Sequence, residues 1–234
     1  MKRRRTADKD LPQYLVEAIR QVWPHAQVGM PDDAPFRDTY PRLKERLARI
    51  PGARILYEQE PRPAPSPEDG SEEGLRSYCL FFLSTTDERF EFGTEDLEQD
   101  EDGVDRHVPG KGWMGCLVGI SVVAPFAAVS LDQFEVFENG ASFEPDVEPH
   151  FFNVNGGKLD MDSHFLELLD EEGFSILQDL RAGMIRVLKE LEIDVIPEVD
   201  LDRPVPWLSA EKEVSVGKAV RPITVRQAFF FRRP

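Results

Sequence analysis

Carboxylates are the side chains of this sequence most densely placed for chemistry. Glu95, Asp96, Glu98, Asp100, Glu101, Asp102 and Asp105 form one run, and such a run either coordinates a hard cation or presents a negative field to a basic partner. Asp100-x-Asp102-Gly103 looks like part of a calcium loop. That alignment, however, puts Glu98 at the first ligand position and Pro109 where a bidentate glutamate is required. The run therefore reads as a solvated loop or as a docking surface for a basic protein, and on the second reading these acids are the partner-binding residues.

A second constellation surrounds His150. Asp146, Glu148 and His150, with Glu144 upstream, would project to one side of an extended segment, where carboxylates and an imidazole can hold a divalent metal or share a proton. Asp160 and Asp162 would add carboxylates to such a site. Pro145 and Pro149 support the plainer reading of an exposed loop, and the spacing matches no known ligand set. His25, His107 and His164 read as surface residues.

Other short patterns carry less. Gly110-Lys111-Gly112 and Gly156-Gly157-Lys158 lack both the spacing and the following Ser or Thr of a phosphate-binding loop, so they read as turn glycines. No Gly-x-Ser-x-Gly elbow, His-Glu-x-x-His pair or kinase signature occurs, and no cofactor is expected. Lys2-Arg3-Arg4-Arg5 reads as a flexible basic tail over residues 1–10 that touches nucleic acid only weakly, through phosphates. No apolar segment follows it, so it does not read as a secretion signal and the chain reads as cytoplasmic.

The elements that must position these residues follow from composition and periodicity. The 234 residues include 41% hydrophobic and 10% aromatic side chains, enough apolar surface for one packed core over residues 11–234. Net charge is −16, concentrated between residues 56 and 215 with basic ends, a distribution that repels nucleic acid from most of the surface. Cys79 and Cys116 each sit in an apolar run, which excludes a disulfide framework and a cysteine zinc site. Trp113 to Leu131 carries no charge and is long enough to span a bilayer, but its Gly, Ser and Pro content suits two buried strands joined by a turn, and no membrane partner is expected.

Helical spacing predicts an amphipathic helix over 11–23 and another over 42–50. Strands are expected over 53–60, with Ile55 and Tyr57 on one face, and over 78–83, continuously apolar as in a strand covered on both faces. Arg89 to Phe92 is expected to form a hairpin with the latter strand. Loops are expected at 61–74 and 94–112. Strands then follow over 114–124 and 126–137, with a bulge between Leu131 and Phe134 and a tight turn at Asn139-Gly140. A helical hairpin is expected next. Its first helix opens at Ser163 and ends at Gly173, and its second is capped by Ser175 and Gln178 and carries the stripe Leu177, Leu180, Met184, Val187, Leu188 and Leu191. Residues 198–217 read as irregular and 223–231 as a last strand. The fold class is α+β, with a mainly antiparallel sheet, N-terminal helices and a C-terminal helical hairpin.

Three function classes fit. The first is an acidic module that binds a basic protein, in the manner of bacterial immunity proteins that block toxins. The second is a non-catalytic structural or regulatory interaction protein. The third is a metal-dependent enzyme using Asp146, Glu148 and His150.

Overall fold

The structure is a computed structural model that describes residues 11–28, 36, 38–61, 77–99, 105–143, 152–155, 158–161, 169–210 and 223–230, with backbone alone at a few of these. Helix α1 (Gln13–Val22) starts behind Pro12 and stops before Pro24, which cannot extend a helix, and its stripe Leu15, Val16 and Ile19 is buried. Strand β1 (Gln27–Val28) follows. Helix α2 (Thr39–Leu47) buries Leu43 and Leu47.

The sheet comes next, as β2 (Ala53–Gln59), β3 (Tyr78–Thr85), a single 3-10 turn (Glu88–Phe90), β4 (Glu91–Gln99), β5 (Asp105–Ser121), β6 (Phe126–Phe137) and β7 (Ser142–Phe143). Strands β8 (Phe152–Asn155) and β9 (Lys158–Met161) pair as a separate hairpin. Helix α3 (Glu171–Glu190), β10 (Asp194–Val195), the short α4 (Glu198–Leu201), β11 (Ser209–Ala210) and α5 (Val225–Phe229) complete the described chain.

Among the described residues the central sheet has seven strands, ordered β10-β6-β5-β3-β2, with β4 beside the first half of β5 and β7 on the end of β6. All its pairings are antiparallel except β10 with β6, and β1 pairs β11 in parallel as a separate ladder. An α+β fold with a mainly antiparallel sheet is therefore what forms.

Both faces of the sheet are covered, which is why β3 reads as an unbroken apolar run. Tyr78, Leu80 and Phe82 face a core with α1, α5 and Phe126, whereas Cys79, Phe81 and Leu83 face a second core with α2 and α3. Cys79 and Cys116 lie in the second core as free thiols, and burial pushes both up to about 12. The uncharged stretch from Trp113 to Leu131 forms the end of β5, the turn and the start of β6; among the described residues no helix is long and apolar enough to cross a membrane.

Several expectations change. Residues 88–90 form a turn and β4 pairs with β5, so no hairpin joins β3 to β4. The β5–β6 register runs without a shift through Cys116↔Leu131 and Trp113↔Phe134, so no bulge forms there. Leu131 and Phe134 simply serve opposite cores, and a strand covered on both faces imposes no single apolar parity. The bulge lies instead in β2, between Ile55 and Tyr57, and turns Ile55 to one core and Tyr57 to the other. The Asn139-Gly140 turn forms, with Gly140 alone taking positive φ, at 84°. Asn139 instead accepts the Ala141 N–H through its side chain.

The C-terminal helices also differ. Gly173 lies in the first turn of α3 rather than ending a helix, and Asp170 is the N-cap, its Oδ1 accepting the Gly173 N–H at 2.7 Å. Ser175 is exposed within that helix, so the expected capping box is unused. The described residues hold one long helix here, with only short ones after it, rather than a helical hairpin; Ser163 lies outside the described residues. Residues 225–229 are helical, not extended, because Thr224 and Gln227 form a reciprocal capping box.

Candidate interaction surface

The described part of the acidic run sits on paired strands rather than in a loop. Strands β4 and β5 pair continuously from Glu91↔Trp113 to Gln99↔Asp105, whereas β5 meets β6 only from Gly110 onward. Residues 95–99 and 105–109 therefore leave the sheet as a two-stranded ribbon, roughly 17 Å long at about 3.4 Å per residue. Backbone ladders do not require apolar side chains, which is why a polar sequence forms strands there. Of the expected partner-binding residues, Glu95, Asp96 and Glu98 lie on β4 and Asp105 on β5; Asp100, Glu101 and Asp102 lie outside the described residues.

Glu95 and Asp105 are exposed and Asp96 is half-buried. Glu98 stands opposite Arg106 in register. His107 Nδ1 lies 3.2 Å from Glu95 Oε2, and Leu97 sits between the acids with 63% of its surface exposed. A single exposed apolar side chain is ordinary on a protein surface; what distinguishes Leu97 is its place in the middle of the acidic strand.

The base of the ribbon is held by residues that the sequence reading passed over. Glu91 accepts the Trp113 Nε1–H at 3.0 Å, pairs with Lys111 and lies 3.6 Å from Arg54. The Lys111 and Trp113 donors, with Arg54 beside them, hold the Glu91 carboxyl below the usual carboxylate range. Arg54 and Lys111 each lie 5.9 Å from the Trp113 ring centroid, and that ring stacks on Phe134 at 5.9 Å. A groove of about 380 Å³ opens beside this cluster, between Pro109, Lys111, Val136 and Glu138.

Gly110 and Gly112 are mid-strand residues, not turn glycines. A Cβ on Gly112 would fall 2.3 Å from the Phe92 ring, and one on Gly110 would fall 2.5 Å from the Phe137 ring. Their bare surface also leaves a path for Thr94 Oγ1 to donate to Glu135 Oε2 at 2.9 Å, tying β4 to β6 across β5. Arg89 anchors the other end of β4: it forks onto Asp87 and reaches Glu172, in the first turn of α3, at 3.4 Å. The same fork holds the Asp87 carboxyl below its ordinary range.

No apolar alternation marks β4 in the sequence, because its two apolar residues, Phe92 and Leu97, have opposite parity. Asp146, Glu148 and His150 lie outside the described residues, as do Glu144, Asp162 and the basic residues 2–5. Asp160 is a residue of β9. Among the described residues no three His, Cys, Asp or Glu side chains converge in a way that could hold a metal ion. Comparison with protein-family models, curated proteins and solved structures finds no match for this chain.

Proposed function

We propose that this chain is an acidic protein-binding module that docks a basic protein through the β4–β5 ribbon, acting as an immunity-type inhibitor of a basic toxin or of another basic protein. The observation that supports this reading is a ribbon standing clear of the sheet with Glu95 and Asp105 exposed around an uncovered Leu97. Acids concentrated on a projecting element steer encounter with a basic surface, and an exposed apolar side chain among them supplies a desolvated contact once the partner arrives. Blocking a partner by occupation requires no catalytic group. The cluster of Glu91, Lys111 and Trp113 gives the ribbon a stiff base, which reduces the conformational entropy lost on binding.

The test is kinetic. A basic partner captured at low ionic strength is re-bound by the wild-type chain and by the triple variant Glu95→Gln, Asp96→Asn and Asp105→Asn. The variant is expected to associate about tenfold more slowly at low salt, with little change in dissociation and a gap that closes as salt rises. Equal association rates at low salt would discard the docking role.

A further inference from the structure

The open edges of the sheet decide what can add to it. Pro109 has no N–H, so Glu95↔Pro109 cannot be a pair that exchanges two backbone hydrogen bonds. The Pro109 carbonyl points away from β4, accepting the Glu138 N–H at 3.0 Å. Glu95 therefore turns its own N–H and C=O outward, away from β5. Because the pattern alternates along an antiparallel ladder, Gly93, Leu97 and Gln99 do the same.

An independent contact agrees. Asp96 Oδ1 accepts the Leu97 N–H at 2.9 Å, a bond that needs this N–H to point away from β5. Among the described residues no strand pairs with this outer edge of β4. Like charges along an edge oppose pairing with a second copy, whereas an oppositely charged extended segment meets no such barrier.

We propose, building on the docking role above, that the outer edge of β4 from Gly93 to Gln99 receives an extended basic segment of the partner as an added β-strand. Its backbone pairs with Gly93, Glu95 and Leu97, its Lys or Arg side chains face Glu95 and Asp96, and an apolar side chain covers Leu97. A carbonyl of the incoming strand takes the Leu97 N–H from Asp96, and the released carboxylate turns to a cation of that strand. Main-chain pairing supplies affinity in this mode, and the flanking side chains supply selectivity.

The test uses two synthetic peptides of equal length and charge, one repeating valine-lysine-lysine, which places lysine opposite Glu95 and Asp96 and valine opposite Leu97, and the other repeating proline-lysine-lysine, which cannot form a ladder. It also uses the variant Leu97→Pro, which keeps every charge of the ribbon and removes an outward N–H together with the leucine side chain, a substitution that edge strands tolerate, measured against Leu97→Ala, which removes the side chain and keeps the N–H. The wild-type chain is expected to bind the lysine–valine peptide with slowed amide exchange at Gly93 and Leu97. Binding should weaken about tenfold or more with Leu97→Pro or with the lysine–proline peptide.

If both peptides bind equally and Leu97→Pro changes nothing, strand addition is overturned while charge-driven docking stands. If the triple variant with neutralised acids also binds equally, docking through the ribbon fails too. Absence of binding to the lysine–valine peptide overturns strand addition outright. Self-association of the chain that Leu97→Pro abolishes would make a second copy the occupant and overturn the basic one. Should Leu97→Pro fail to fold, the peptide pair and the amide exchange of the wild-type chain decide alone.

Discussion

Glu91 is the residue on which the ribbon turns, because it takes donors from β5 and lies within ion-pair reach of Arg54 on β2 at once. Lys111 and Trp113 donate to it and Arg54 lies beside it, so its ionised form is favoured in the folded state. A carboxyl whose folded value is lowered contributes stability above its unfolded value, near about 4.3, and that contribution disappears as pH falls through the lower folded value. We expect Glu91→Gln to melt at a lower temperature than wild type at neutral pH, with the difference closing below about pH 4. The cluster is partly solvent-exposed, so screening keeps the effect modest and high salt should reduce it further. A melting difference constant from neutral to acidic pH would assign Glu91 a packing role instead.

Helix α3 shows how an element is placed by its boundary as much as by its stripe. Leu177, Leu180, Met184, Val187 and Leu188 are buried as their spacing predicts. Its start differs from the sequence expectation: the spacing of Ser175 and Gln178 predicts the cap there, whereas Asp170, five residues earlier, is the N-cap. Asp170 caps the helix by accepting the Gly173 N–H at 2.7 Å, and a Cβ on Gly173 would crowd that same oxygen at 3.2 Å, so glycine leaves the cap room. Asp170→Ala is expected to cost about 1 kcal/mol, a fall in melting temperature of roughly 2–4 °C for a chain of this size. Ser175→Ala, at an exposed interior position, should be neutral or slightly stabilising. Thermal melts of the two variants compare the boundaries directly, and the reverse ranking would place the helix start at Ser175.

At the scale of the whole molecule, β3 supplies alternate residues to two cores on opposite faces of one sheet, so neither core persists without the strand they share. Leu15→Ala opens a cavity in one core and Met184→Ala in the other. Each is expected to cost about 2–5 kcal/mol and to shift the same cooperative unfolding transition. Calorimetry in which each substitution moved a separate transition would show that the two layers unfold independently.

By itself the sequence determined the elements whose signals are local: α1 and α2, the apolar run of β3, the apolar second half of β5 and β6 around Pro125, the stripe of α3 and the turn at Gly140. Hydrophobic period, proline and glycine report these because each acts within a few residues. Tertiary structure decided the rest. The acids from Glu95 to Glu98 became a strand because β5 offered backbone partners, and Gly110 and Gly112 became mid-strand residues because Phe92 and Phe137 cover them. Residues 225–229 became a helix because their cap competed successfully with a strong strand composition. Pairing and coverage depend on residues far apart in the chain, so the ribbon that carries the proposed function was visible in the sequence as charge but not as shape.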